Sequence, residues 1–131
     1  MSGQDSSARF TPPGFGTVTP RLFAADCARL VQFLRKVFDA TGEYRESSPS
    51  QIRIGDSLIM VSDTRVRSRS VSTFYVYVAD VDATYRRALD AGARSFEAPA
   101  VMPYGDRRCI VQDPWENIWQ IATYLGNETH V

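Results

Sequence analysis

The chain has 131 residues, enough for one domain with a hydrophobic core of its own. Its 15 basic and 15 acidic side chains balance, so no net field favours nucleic acid or an anionic membrane as partner. No apolar run reaches the roughly 20 residues that cross a bilayer, and no basic start followed by an apolar stretch predicts a signal peptide. Two cysteines make no disulfide framework. A cytoplasmic protein is therefore expected.

Changes in composition divide the chain. The start is rich in Ser, Gly and Pro without periodicity, which predicts a mobile tail. Near the middle, Arg65, Arg67 and Arg69 alternate among small residues, and such close like charges favour a solvated connector over an anion-binding groove. The predicted boundaries are a tail at 1–16, a module at 17–63, a connector at 64–72, a second module at 73–124 and a tail at 125–131.

The first module begins with a strand candidate over residues 17–25. Asp26 is expected to cap the following helix, because a carboxylate can accept hydrogen bonds from the first turn. That helix has one apolar face, formed by Leu30, Phe33, Leu34, Val37 and Phe38. Gly55 and Asp56 predict a tight hairpin turn between the last two of three short strands. These strands are expected near residues 43–47, 51–54 and 57–62.

The second module repeats this order. Residues 73–79 alternate clearly as a strand, and Asp80 or Asp82 offers a helix cap. Gly92 should end the helix in the left-handed conformation that glycine adopts at little cost. The apolar face of the helix comprises Val81, Tyr85, Ala88 and Leu89. Strands are expected near residues 94–97, 107–112 and 118–123.

The chain is therefore an internal repeat of two βαβββ modules, each too small to be stable alone. We predict an α+β fold in which the modules form a curved, mixed, eight-stranded sheet with helices outside. Its concave face would enclose a cavity.

The most informative stretch is the hairpin of residues 104–123, whose turn is Asp113-Pro114-Trp115-Glu116-Asn117. An Asp-Pro turn between apolar strands, ending in Trp-x-Ile, resembles the last hairpin of the vicinal oxygen chelate superfamily. That superfamily contains glyoxalase I, bleomycin-resistance proteins and extradiol dioxygenases. Glu116 stands where the family usually has glycine. Four segments are similar to its phosphonate-operon glyoxalase-like branch: residues 20–26, 54–57, 78–83 and 104–107.

The resemblance indicates which positions of this chain would hold the family's metal ion. In metal-dependent members, four strands each direct one His, Gln or Glu at a divalent ion that keeps a position open for substrate. The matching positions here are Thr19, Ile59, Thr73 and Gln120, and none is a histidine or a carboxylate. The single histidine, His130, falls in the expected C-terminal tail. We therefore expect no family metal and no other cofactor; a metal would need unusual ligands such as Glu46, Asp106 or Gln120.

The expected cavity lining follows from strand alternation together with the resemblance. One face of the fifth predicted strand is Phe74, Val76 and Val78, which should pack beneath the helices. The other face should line the concavity. With the matching residues of other strands, the expected ligand-binding set is Arg21, Phe23, Ile59, Thr73, Tyr75, Tyr77 and Gln120. The same aromatic residues would suit a filled core, so both alternatives stay open.

Three further side chains belong to this hairpin region. Trp119 alternates with Gln120 and should face the helices. Trp115 lies in the turn, where it would cap the pocket as a further ligand-binding residue or pack on a partner subunit. Asp106 is expected either to pair with Arg107 or Arg108, or to leave those arginines for an anionic group.

The resemblance favours a metal-free protein that binds a small aromatic or amphipathic molecule, in the way that bleomycin-resistance proteins sequester a drug. Since those proteins bind ligands at a dimer interface, a homodimer is expected. One alternative is an enzyme. It would be either a lyase or dioxygenase with atypical metal ligands, or a metal-free catalyst that uses Tyr75, Tyr77 or Arg21, and no residue is assigned as catalytic. The other is an interaction or scaffold domain whose cavity is filled.

Overall fold

The computed structural model describes residues 10–64 and 70–126. Predictions that concern the first nine residues, the three connector arginines and His130 lie outside the described residues. Of the expected N-terminal tail, residues 12–15 form a turn in which the Phe15 N–H donates to the Pro12 carbonyl oxygen over 3.1 Å. The guanidinium of Arg53 holds this turn by donating to the carbonyl of Gly14 at 2.7 Å.

Strands and helices follow the predicted repeat. The elements of the first module are β1 (Arg21–Ala24), α1 (Cys27–Phe38), β2 (Ser50–Ile54) and β3 (Ser57–Asp63). Those of the second module are β4 (Thr73–Tyr77), α2 (Val81–Asp90), β5 (Arg94–Val101), β6 (Asp106–Gln112) and β7 (Ile118–Tyr124).

The strands form two mixed sheets. The first has the order β1-β3-β2, and the second has the order β4-β7-β6-β5. In each module the strand before the helix pairs in parallel with the module's last strand, and the other pairs are antiparallel. The α+β fold of two modules is confirmed. The single eight-stranded sheet is corrected to sheets of three and four strands in the described residues.

The structure differs from the prediction at residues 43–47, which do not form the expected strand. The chain there makes one bridge beforehand, between Thr41 and Arg53, and then leaves the sheet. The backbone N–H of Arg45 donates to the Ser50 hydroxyl at 2.8 Å instead of to a neighbouring strand. A local side-chain acceptor thus replaces the sheet hydrogen bonds that this segment would have made.

The two helix starts differ. Asp80 caps α2 as predicted, since its Oδ1 accepts from the Ala83 N–H at 3.1 Å. Asp26 was wrongly predicted to cap α1, because its own backbone is left-handed (φ 60°, ψ 60°) and its carboxylate makes no capping hydrogen bond. Gly92 follows α2 with φ 102°, as expected of a glycine that ends a helix.

The core lies between the helices and the sheets, and it joins the two modules. The buried face of α1 is the predicted one. At its end, Phe38 packs on Trp119 of β7, with ring centroids 5.0 Å apart, and Trp119 stacks on Phe74 of β4 at 4.7 Å. Arg87 of α2 also donates to the Val37 carbonyl of α1 at 3.3 Å. Trp119 therefore faces the helices, as predicted.

The turn between β6 and β7 is held by Asp113, which is 3% exposed. Its Oδ1 accepts from the backbone N–H groups of Trp115 and Asn117, at 2.8 and 2.9 Å. Its Oδ2 accepts from the Asn117 amide at 3.1 Å and from the Trp119 indole at 2.9 Å. One carboxylate thus satisfies four donors and fixes the strands that the hairpin joins.

Glu116 in this turn has φ 74°, a conformation that L side chains adopt at a cost. We expect Glu116→Gly to raise the free energy of unfolding by about 0.5–1 kcal/mol, because glycine adopts this φ without strain. Urea denaturation measures the change. The matched control is Glu46→Gly, at an exposed position without positive φ, where the added flexibility of the unfolded chain should lower stability. Equal losses in both variants would contradict strain at Glu116.

Candidate functional site

A cavity with a volume of about 680 Å³ is lined by residues of both modules. It is partly open to solvent, and residues of the β2–β3 turn and of strand β4 belong to its wall. The aromatic and aliphatic part of its wall comes from both modules, and in the helices from α1 alone: Val37, Phe38, Ile54, Ile59, Phe74, Val76, Val78 and Trp119. Its polar and charged positions are Asp56, Ser57, Tyr75, Tyr77, Asp80, Thr84 and Arg87.

Tyr75 and Tyr77 carry the most distinctive polar arrangement at this cavity. Strand alternation places both on the face of β4 opposite Phe74, as predicted, and their rings lie 5.3 Å apart. Both phenol groups donate to Oδ2 of Asp106, at 2.6 and 2.9 Å. Asp106, at the start of β6, is fully buried. A buried carboxylate is thus stabilised by two neutral donors from a strand with which β6 does not pair.

A hydrogen-bond chain extends this cluster. Arg108 donates one nitrogen to the Tyr104 hydroxyl at 2.9 Å and another to Glu97 at 2.7 Å. The Tyr104 and Tyr75 hydroxyls are 3.3 Å apart. Because the single proton of Tyr75 goes to Asp106, Tyr104 is the donor in that pair. From Arg108 through Tyr104 and Tyr75, each hydrogen bond is therefore donated in the direction of Asp106.

The environment keeps both phenols protonated. Burial, followed by the hydrogen bond to Asp106, raises the pKa of Tyr75 far above its ordinary value. The same two causes, in the same order, raise the pKa of Tyr77. Neither hydroxyl can act as a base near neutral pH, since ionising it would place a phenolate beside a carboxylate.

The predicted site residues are not all brought together. Tyr75, Tyr77 and Ile59 line the large cavity. Arg21 lines a separate pocket of about 300 Å³ beside Glu46, donates to the Ser62 hydroxyl at 3.0 Å and lies over the Phe23 ring at 5.1 Å.

Ile59 reaches the cavity from a different side than predicted. It pairs with Ile52, and both belong to the core under the helices, whereas Met60 shares the face of Arg21. The prediction that Ile59 lies on the concave face is therefore wrong by one residue. A shift of one position along a strand moves a side chain to the opposite face of the sheet.

Thr73, Gln120 and Trp115 are positioned outside the wall of the large cavity. Gln120 is the direct neighbour of Tyr75 across the sheet, and Thr73 is the neighbour of Ile118, so both share the tyrosine face. Trp115 turns towards α1 instead. Its indole N–H donates to the Ala25 carbonyl at 2.9 Å, and its ring meets Phe33 edge-on at 6.0 Å.

The arginine pairs also differ from expectation. Arg107 donates two hydrogen bonds to Asp82 of α2, both at 2.9 Å, on the helix side of the sheet. Arg108 takes Glu97 as its carboxylate partner. Sequence reasoning considered Asp106 only as a salt-bridge partner or an unusual ligand, and it missed Tyr104 and Glu97. The segment Tyr104-Gly105-Asp106 could have indicated them, since it places a phenol and a carboxylate at the start of a strand.

The donor groups do not fit the metal of the related enzymes. Ile59 has no lone pair to offer, and Thr73 and Gln120 offer only a hydroxyl and an amide, which are weak ligands without a carboxylate or imidazole beside them. Within residues 10–64 and 70–126, no group of three or more His, Cys, Asp or Glu side chains could hold a metal ion. Of the unusual ligands considered, Glu46 lines the smaller pocket, whose wall includes neither Asp106 nor Gln120.

The fold has known relatives. TioX from Micromonospora sp. ML1 superposes with a TM-score of 0.71 at 24% identity, over 84% of this chain and 100% of that one. The fosfomycin resistance protein FosX from Mesorhizobium loti gives a TM-score of 0.63 at 22% identity, over 82% of this chain and 91% of that one. These likenesses concern the fold alone.

Sequence comparison is more specific. The uncharacterized protein Rv0887c of Mycobacterium tuberculosis is 30% identical over 124 residues, which span 80% of this chain and 72% of the relative. Mb0911c of Mycobacterium bovis, also uncharacterized, is equally similar over 81% of its length. In the part of the chain that the structure describes, no helix has the length and apolarity to span a bilayer.

The family model of the Glyoxalase/Bleomycin resistance protein/Dioxygenase superfamily matches residues 14–121, nearly the whole described chain. The phosphonate-operon branch stays a prediction. Matched over most of its length by that model, and folded like the family's solved members, this chain belongs to the glyoxalase/bleomycin resistance protein/dioxygenase superfamily.

Proposed function

We propose that this chain binds a small aromatic or amphipathic molecule in the cavity between its modules, without a metal ion, and thereby sequesters it. The cavity itself is the observation that carries the proposal. Its volume of about 680 Å³ falls in the range of small-molecule sites, and its wall combines aromatic rings with a few polar groups. A filled scaffold domain would not need such an open space.

The chemistry of the wall supports binding rather than catalysis. Phe38 and Phe74, which pack on opposite sides of the buried Trp119, contribute apolar aromatic surface to the cavity wall. Two tyrosines line the cavity, and the hydroxyls of both, Tyr75 and Tyr77, are held protonated by Asp106 and are poor bases. A resistance role is supported by the family and by the fold shared with a fosfomycin resistance protein.

A thermal-shift screen of small aromatic metabolites and antibiotics tests this function. A ligand at about 100 times its Kd stabilises the folded state by about 2.7 kcal/mol, which raises Tm by roughly 10 °C in a domain of this size. Ala79→Trp adds an indole at an exposed position of the cavity wall, so it should reduce the affinity at least about tenfold.

Ala98→Trp is the matched control. Ala98 is also exposed, but it lies on β5 and outside the cavity wall, so this variant should keep the wild-type shift. Equal loss of binding in both variants would place the ligand elsewhere. A screen without any hit would overturn the function. Metal analysis of the purified protein is the second test: a tightly bound divalent ion at one per chain would contradict metal-free binding.

We also propose that the protein works as a homodimer. Tyr75, Tyr77 and Tyr124 share the open face of the second sheet, and each is exposed by more than a third of its surface. Large exposed apolar groups on one face are typical of an interaction site. Sedimentation equilibrium tests the state, and a monomer at micromolar concentration would contradict it.

A cytoplasmic location is proposed as well, and the two thiols support it. Cys27 and Cys109 are both buried, and burial raises the pKa of Cys109 to about 11. Both would stay reduced in a reducing compartment. Localisation of a tagged full chain tests this proposal, and export from the cytoplasm would contradict it.

A further inference from the structure

We infer that the cavity binds its ligand through a carboxylate, which Arg87 of α2 holds while the aromatic part of the ligand lies against the apolar wall. This inference rests on the proposed function, because it assumes that the cavity binds a small molecule. It adds the chemical class of the ligand, an aromatic or amphipathic carboxylic acid, and the residue that selects it. Three observations support it: the anchoring of the guanidinium, the neutral character of its partners and the apolar surface beside it.

Arg87 lines the cavity and is anchored by one edge of its planar guanidinium. Its Nε donates to the Val37 carbonyl of α1 at 3.3 Å, and its Nη2 donates to the Thr84 hydroxyl at 3.0 Å. Both anchors hold the same edge of the group, because Nε and Nη2 lie side by side on it. The opposite edge keeps the two N–H groups of Nη1 and the second N–H of Nη2, in the fork geometry that matches a carboxylate.

The charge of this guanidinium has no carboxylate partner in the part of the chain that the structure describes. The ion pairs between described residues involve other arginines, whereas both acceptors of Arg87 are neutral. Thr84 is 2% exposed and donates in turn to the Asp80 carbonyl at 3.0 Å, so the anchor is itself fixed. A guanidinium that is already held in place loses little freedom when it binds an anion, and more of the attraction therefore appears as affinity.

The apolar part of the wall begins beside this cation. Val37, whose carbonyl anchors Arg87, is followed by Phe38 at the end of α1, and both residues line the cavity. Phe38 in turn packs on Trp119 with ring centroids 5.0 Å apart. A ligand with its carboxylate on Arg87 would have aromatic surface next to its ring, and the water that this surface excludes would no longer weaken the ion pair.

The two carboxylates of the cavity wall compete little with such a ligand. Asp80 precedes Arg87 by seven residues along α2, about 10 Å of helix, which is comparable to the Debye length of roughly 8–10 Å near physiological salt. Its Oδ1 also accepts from the Ala83 N–H at the positive end of the helix dipole. Asp56 is exposed to water in the β2–β3 turn, where it accepts from Ser57 at 3.1 Å.

Three naphthalene probes test the class of ligand. They are 2-naphthoate, its neutral planar isostere 2-naphthamide and the cation 2-naphthylmethylammonium, titrated into the full chain at neutral pH by calorimetry. The carboxylate should bind at least about tenfold tighter than the amide and the cation, because only the carboxylate can accept both hydrogen bonds of the fork and carry the opposite charge. Added salt should weaken the binding of the carboxylate and leave that of the amide unchanged.

Arg87→Gln tests the origin of the preference. The substitution removes the charge and the fork, so naphthoate should bind less than about threefold tighter than naphthamide. Arg86→Gln is the matched control, since the neighbouring arginine is exposed and lies outside the cavity wall, and this variant should keep the wild-type preference. Arg87→Lys keeps the charge without the fork. It should give an intermediate preference, and it tests the role of Arg87 even if Arg87→Gln does not fold.

The outcomes separate the two proposals. If naphthoate binds no tighter than naphthamide, or if the cation binds best, the carboxylate preference is wrong and the binding function stands. A preference that survives in a folded Arg87→Gln protein would overturn the role of Arg87. If only the broader screen gives ligands, their affinity should fall in Arg87→Gln and not in Arg86→Gln, and equal affinities in the two variants would contradict the inference. If neither the probes nor the screen gives a ligand, both proposals fail.

Discussion

Asp113→Ala should lower the free energy of unfolding by about 3–5 kcal/mol, a large part of the stability of a domain of this size. The carboxylate accepts four hydrogen bonds within the β6–β7 turn. Alanine would leave these donors without an acceptor, and Asn117 and Trp119 are too deeply buried to find water. A buried donor that loses its partner costs more than the bond itself contributed. Urea denaturation followed by far-UV circular dichroism measures the loss.

Two variants calibrate this effect. Asp113→Asn keeps one acceptor oxygen and turns an amide N–H towards two former donors, so it should cost about 2 kcal/mol. Asp56→Ala makes the alanine substitution in the exposed β2–β3 turn, where the carboxylate accepts from Ser57 at 3.1 Å. Its cost should stay within about 0.5 kcal/mol. If Asp113→Ala also cost less than about 1 kcal/mol, the turn would be held by its backbone alone.

Local signals in the sequence predicted most of the fold. The period of 3.6 residues identified the buried face of α1, and the alternation in β4 separated Phe74 and Val76 from the tyrosines. These signals work because each concerns neighbours along one element. Asp26 shows their limit, since the same residue type that caps α2 at Asp80 fails at α1 for a backbone reason. A left-handed φ is a property of the chain path, which the residue type does not determine.

The candidate site was less predictable, because it depends on register between distant strands. Asp106 is 29 residues from Tyr77 and 31 from Tyr75, and β7 lies between their strands. Alternation predicts the face of the sheet on which each side chain lies, but not which residue of another strand lies beside it. The prediction for Ile59 failed for the same reason, because it carried a family position onto a strand whose register was one residue away. The cavity, moreover, lies between two sheets and not within one.

Trp119→Ala is expected to be the most destabilising core substitution, with a loss of about 4–5 kcal/mol. The indole is 1% exposed and lies between the rings of Phe38 and Phe74, one from each module. Alanine would leave a void where the modules meet, and the neighbouring rings cannot close it without moving a helix or a strand. The expected loss of stability therefore has two sources, the lost contacts between the modules and the lost burial of apolar area. Far-UV circular dichroism in urea again gives the measurement, because the substitution removes a fluorophore.

Trp119→Phe separates packing from the hydrogen bond. Phenylalanine keeps a ring between Phe38 and Phe74 but cannot donate to Asp113, so about 1–2 kcal/mol should be lost. Combined with Asp113→Asn, this variant forms a double-mutant cycle, and a coupling of at least about 0.5 kcal/mol is expected for residues in direct contact. Indole at millimolar concentration should raise the Tm of Trp119→Ala by more than that of the wild type, because it can enter the void. An equal rise in both proteins, together with a loss below about 2 kcal/mol in Trp119→Ala, would mean that the core collapses around the missing ring. In that case the modules would be joined by α1 and α2 rather than through the aromatic stack, and the wall of the proposed binding cavity would be adaptable rather than preformed.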